Sequence, residues 1–254
     1  METLPAPVRM LESYSRQRAD INDVMRALTG HREWFAPLTL FALSGEPTRR
    51  VDSMLMLSPE AQITPGELWI FTDREAALRA QAAGAQLGSY AGGMAGTELF
   101  RLIPADTKTV RVNPGSPLEH TWIYRDGGGI EAGKIWAEAI ALEDSFEQWR
   151  QSGAPDRTAF ISYPAFLTFD HPHGAVVTLP NHSGMLNPAA AFTAPDCADQ
   201  FLSEVGEPQR AGLQRVTIGG NTLLEKASVL GIDGLVINLF GPGATYALPF
   251  SGIN

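Results

Sequence analysis

Five histidines and one cysteine are the residues of this 254-residue chain best suited to metal or nucleophile chemistry. The histidines are His31, His120, His171, His173 and His182. His171-Pro172-His173 sets two imidazoles on one face of an extended segment, because side chains alternate across a strand. Asp170 and His182 lie close by in sequence, so a metal site can be drawn there. The spacing matches none of the stronger metal signatures. Phe169-Asp-His-Pro-His-Gly is also the composition of a polar hairpin loop between strands. The loop is the simpler reading, and no metal or cofactor is expected. Cys197 falls in the first turn of an expected helix, where the helix dipole favours a thiolate. Asp196 and Asp199 oppose that, and no histidine adjoins it, so a small buried apolar residue is the better reading.

Glycine pairs before helices could offer backbone N–H groups to an anion. Gly219-Gly220-Asn221 and Gly92-Gly93 with Gly96 are the candidates. Neither fits a phosphate-loop or dinucleotide fingerprint, and no lysine follows closely. Tight strand-to-helix turns explain both. Acidic residues are plentiful, but no spacing singles out an acid/base pair. Common hydrolase motifs are missing from the sequence. No catalytic residue is expected, and the chain is read as a non-enzyme.

The chain carries 19 Lys+Arg and 28 Asp+Glu, a net charge of −9. Residues 1–126 hold 13 basic and 15 acidic side chains, while residues 127–254 hold 6 and 13. Such a surface disfavours nucleic acid, whose binding needs cationic groups that release counterions. It also disfavours anionic lipid, and no apolar run approaches the roughly 20 residues of a membrane helix. A basic protein surface would suit it better. One cysteine permits no internal disulfide, and the N-terminal residues do not read as a signal peptide. A cytoplasmic location is the expectation.

The elements that would position these residues occur twice. Phe71-Thr72 returns as Phe192-Thr193, an offset of 121; Gly96 returns as Gly220, and Asn113 as Asn238, offsets of 124 and 125. Matches in one order with nearly constant offset indicate a duplicated unit. Each copy opens on an amphipathic helix. In the first, Val8, Leu11, Ile21, Val24, Met25 and Leu28 form a stripe broken around Arg18; in the second, Ile135, Ala139, Leu142, Phe146 and Trp149 do so. Strands are expected over 35–43 and 54–57 in the first copy and over 159–168 and 175–179 in the second. A helix capped by Thr72 or Asp73, and its counterpart capped by Thr193 with Pro195 in the first turn, come next. Buried strands at 109–112 and 234–237 lead through Asn-Pro-Gly or Gly-Pro-Gly turns into last strands at 120–124 and 245–248. The expected fold is a mixed α/β (α+β) arrangement of two tandem units, 1–128 and 129–254, joined at Gly127-Gly-Gly129.

Each copy resembles the SseB-type N-terminal domain of the bacterial enhanced serine sensitivity family. The resemblance rests on Phe71-Thr72, on Gly96-Thr-Glu-Leu-Phe, and on Asn113-Pro-Gly-Ser-Pro117. The second copy offers Phe192-Thr193, Gly220-Asn-Thr-Leu-Leu and the strand ending at Asn238, and departs from the pattern at Leu239-Phe240. The resemblance implies a fold and a bacterial origin, and no activity. The expected function is a protein-interaction module, an accessory or immunity protein that binds a secreted effector. A small-ligand sensor using a cleft between copies, or the Asn113 and Asn238 turns, is the alternative; an enzyme of unrecognised type is the third. The expected docking face is the helix 130–152, with Glu138, Glu143 and Glu147 in water for a basic partner. Replacing these three by lysine is then expected to weaken binding and leave the fold intact.

Overall fold

The computed structural model describes residues 4–42, 53–57, 66–82, 91–103, 106–123, 129–153, 157–172 and 174–250. The chain is a mixed α/β protein with several small sheets. It divides into two compact units, Met1–Ala137 and Glu138–Asn254, and the divide falls inside one long helix. Gly127 and Gly128 lie outside the described residues.

The first unit opens with α1 (Ala6–Ser15) and α2 (Ile21–Thr29). The break expected near Arg18 lies between them. There Gln17 takes a left-handed φ of 57°, and Asp20 caps α2 by accepting from Asp23 N while Asp23 accepts from Asp20 N. Such a reciprocal cap satisfies two otherwise unpaired donors. β1 (Trp34–Ala42) and β2 (Ser53–Leu57) pair antiparallel, and β1 also pairs with β4 (Ala91–Met94). β3 (Glu67–Ile70) lies parallel to β5 (Thr109–Val112), which pairs antiparallel with β6 (His120–Ile123). Between these strands run α3 (Arg74–Ala82) and α4 (Gly96–Leu102). Asp73 caps α3 by accepting from Ala76 N at 2.6 Å.

The second unit takes up the later part of α5 (Gly129–Ser152), followed by α6 (Arg157–Ser162) and β7 (Phe166–Asp170). β8 (Ala189–Ala191), α7 (Pro195–Glu204), α8 (Glu207–Arg210) and β9 (Gln214–Ile218) come next. α9 (Gly220–Val229), β10 (Gly234–Ile237) and β11 (Tyr246–Pro249) complete it. β8 is parallel to β10, β10 is antiparallel to β11, and β7 pairs antiparallel with β9. The order β8-β10-β11 therefore has the same directions as β3-β5-β6. Val110, Val112, Leu235, Val236 and Ile237 are all fully buried in these central strands.

Three local expectations are corrected. The strand expected from residue 159 begins as helix α6, and β structure starts only at Phe166. A short apolar run does not distinguish strand from helix by periodicity, and here Phe160 and Tyr163 each pack a ring 4.8 Å from that of Phe166. The strand expected over 175–179 survives as isolated bridges at Val176 and Thr178. Thr193 does not cap α7: Ala194 holds the N-cap position without a side-chain bond, because the Thr193 hydroxyl is engaged elsewhere.

Candidate binding site

One backbone device recurs at the end of each central strand. Asn113, just past β5, has φ 53°, and Asn238, just past β10, has φ 58°. Asparagine tolerates the left-handed region better than most residues. Asn113 Oδ1 accepts from Thr72 N at 2.8 Å, and its Nδ2 donates to Thr72 Oγ1 at 3.0 Å. Asn238 Oδ1 accepts from Thr193 N at 2.9 Å, and its Nδ2 donates to Thr193 Oγ1 at 2.9 Å. Both asparagines are 1% exposed. Their amides are consumed in tying one strand end to the next, so neither presents the ligand-binding group expected of it.

The two devices differ in the carboxylate beside them. In the first unit Glu119 accepts from Arg111 and from Gly115 N at 2.8 Å, stapling the Asn-Pro-Gly turn. The Arg111 guanidinium also sits over the Trp69 ring, 5.1 Å from its centroid. The bond from Arg111, then that from Gly115, holds the Glu119 carboxyl below its ordinary value. In the second unit Glu143 reaches in from α5. Its Oε1 accepts from Thr193 Oγ1 and, at 3.2 Å, from Asn238 Nδ2. Tyr163 donates its phenol proton to the Thr193 carbonyl. Burial first, then the charge of Glu143, raises the Tyr163 phenol well above its ordinary value. This tyrosine is therefore a neutral donor and no proton acceptor at working pH.

Glu143 consequently belongs to the interior network of the second unit, half-buried, and does not stand in water as expected of a docking face. Its replacement by lysine would place a cation against the two donors it now satisfies, so the triple-lysine variant would damage the fold. Glu147 accepts from Arg150 at 2.7 Å and from Gln151 at 3.1 Å on its own helix. Glu138 is half-buried. In the apolar stripe Ala139, Leu142 and Phe146 are buried, while Ile135 is exposed.

The second unit carries an apolar groove of about 530 Å³. Val177, Leu179, Phe201, Val205, Leu213, Leu239 and Phe240 supply its apolar lining. His171 and His182 stand at it, but no Asp, Glu, Lys or Arg lines it among the described residues. Phe240 is 50% exposed and has φ 63°, a region that a bulky side chain rarely adopts. The groove has the size and apolar lining of binding sites. In the sequence, Leu239-Phe240 stood out as a departure from the expected repeat. The signal it contained was two large apolar residues inside a turn.

The remaining candidates are quiet. His173 lies outside the described residues. His171 is exposed, and no group of three His, Cys, Asp or Glu side chains among the described residues could hold a metal. Cys197 is 1% exposed, within the core formed by Phe169, Phe192 and Phe201. Gly96 and Gly220 are packing glycines: a Cβ on Gly96 would meet Thr29 O at 2.5 Å, and one on Gly220 would meet Phe160 O at 2.0 Å. No described helix is long and apolar enough to cross a membrane.

No family model and no curated protein matches the chain. Among solved structures it is similar to Anabaena Tic22 (protein transport), at 13% identity and a TM-score of 0.25, over 86% of this chain and 92% of that one.

Proposed function

We propose that this chain is a non-catalytic, cytoplasmic binding protein, built from two diverged copies of one SseB-type unit, that holds a basic protein partner through the groove of its second unit. The observation that carries the reading is the groove itself: open, apolar, and edged by a half-exposed phenylalanine. Exposed apolar concavities of this kind mark interaction sites. The matching latches at Asn113 and Asn238, and the matching close approaches at Gly96 and Gly220, support the duplication. The net charge of −7 over residues 127–254 supports a basic partner, since it would steer such a protein toward this half of the chain.

The test is capture of partners from the native cell by three forms of the protein, identified by mass spectrometry. Val205→Arg, which fills the groove with a cation, is expected to lose the partner. Glu138→Lys with Glu147→Lys, which spares Glu143, is expected to slow association and steepen no fold defect. A partner retained by Val205→Arg would remove the groove as the docking site. A small-ligand reading is favoured by one feature, the volume of about 530 Å³, which lies in the range of small-molecule pockets. An apolar compound that copurifies with the wild-type protein and is lost from Val205→Arg would establish it instead.

A further inference from the structure

We propose that the partner residue seated in this groove is aromatic and that Phe240 selects it by ring stacking; the inference rests on the groove being the docking site. Three rings form a staircase toward the surface. Phe169 and Phe201 have centroids 5.7 Å apart and planes 19° apart. Phe201 and Phe240 have centroids 6.3 Å apart and planes 21° apart. The first two rings are 1% and 2% exposed, the third 50%. Offset stacking is an arrangement aromatic pairs prefer. The outermost ring of the series therefore has surface left for one more ring.

Phe240 holds this position against its own backbone preference. With φ 63° it occupies the left-handed region, where a β-carbon is costly and glycine is at ease. Residues to either side make close contacts of their own. Asn238 is fixed by the Thr193 latch. Gly241 is hemmed in, since a Cβ there would lie 2.9 Å from Cys197 Sγ and 3.1 Å from Asn238 O. A phenylalanine kept where glycine would be unstrained, and half in water, points to a use for its ring. Backbone strain of this kind concentrates at ligand clamps.

Charge narrows the occupant. Among the described residues that line the groove there is no Asp, Glu, Lys or Arg. A lysine or arginine would find no counter-charge inside. Outside, the acidic half of the chain suits basic neighbours. The occupant is thus a segment of a partner polypeptide with an aromatic residue flanked by basic ones.

Isothermal titration of the intact chain tests this with three probes: a capped pentapeptide with central tryptophan and terminal lysines, the same peptide with central leucine, and N-acetyl-tryptophan amide. The tryptophan peptide is expected to bind about three- to tenfold more tightly than the leucine peptide, the preference of a ring pair. The amide is expected to bind more weakly than either. Phe240→Leu should bring the tryptophan peptide down to the affinity of the leucine one. In thermal unfolding Phe240→Gly should melt above Phe240→Ala, the reverse of the usual order, because the left-handed strain is relieved. Equal affinity for the two peptides, with both lost in Val205→Arg, would overturn the aromatic assignment while leaving the docking reading in place. No binding of either peptide would overturn both. Amide binding as tight as the peptide's would overturn a polypeptide source, and a lower melting point for Phe240→Gly than for Phe240→Ala would overturn the strain.

Discussion

The ends of β5 and β10 are fixed in the same way and put to different ends. Each closes on a left-handed asparagine whose amide grips a threonine one strand away. Beyond the first, Pro114-Gly115 makes a compact turn stapled to Glu119. Beyond the second, Leu239-Phe240 push an aromatic ring to the rim of a groove, and Glu143 comes in from a helix to brace the latch. A rigid backbone device tolerates change in the residues next to it, because its hydrogen bonds are local and satisfied. Function can then be grafted onto the turn without rebuilding the strand.

The largest effects expected break what the two regions share. Gly220→Ala and Gly96→Ala force a Cβ onto backbone oxygens that cannot swing away, so each should cost about 3 kcal/mol or more. Gly220 should be the worse of the two, having the closer oxygen at 2.0 Å against 2.5 Å. Chemical denaturation of both variants checks this. Similar, small losses would mean that these helix starts yield easily.

Next in size is the latch itself. Asn113→Ala leaves the buried Thr72 N–H unpaired and puts alanine at a left-handed φ, a loss of about 2–3 kcal/mol. Asn238→Ala does the same to Thr193 and also strips a donor from Glu143, so it should cost more. A double-mutant cycle between Asn238→Ala and Glu143→Gln should give a coupling of about 1 kcal/mol. A coupling near zero would separate the carboxylate from the latch.

The smallest effect sharpens the difference between the two carboxylates. Arg111 and Gly115 hold the Glu119 carboxyl below its ordinary value in the folded state. The stability this contributes is full above the unfolded carboxyl pKa of about 4.3, and it is lost as pH falls through the depressed folded value. Glu119→Gln should therefore lower stability modestly at neutral pH and shrink its fall on acidification. An acid titration of stability in which the variant parallels the wild type would show that the staple contributes nothing.

What the sequence revealed and what it hid follow from distance along the chain. Phe71-Thr72, Phe192-Thr193, the two asparagines and the two packing glycines were legible, because a left-handed turn or a close helix start demands particular residues within a short window. The mixed α/β class was legible from the alternation of short apolar runs and helical stripes. Glu143 was not. It reads as one acid on the polar side of a helix, and its partners Thr193 and Asn238 lie 50 and 95 residues away. The groove was hidden for the same reason, since its walls come from segments between His171 and Phe240. The apparent strand at 159–168 misled because Phe160 and Ile161 serve a short helix as readily as a strand.

The most direct test of the account is a methyl NMR titration of the intact protein with the lysine-flanked tryptophan peptide. The predicted result is a set of shifts at Val177, Leu179, Val205, Leu213 and Leu239 that saturate together, while Leu28, Leu68 and Leu99 of the first unit stay still. Shifts confined to the first unit, or none at millimolar peptide, would contradict the claim that this groove is where the protein binds.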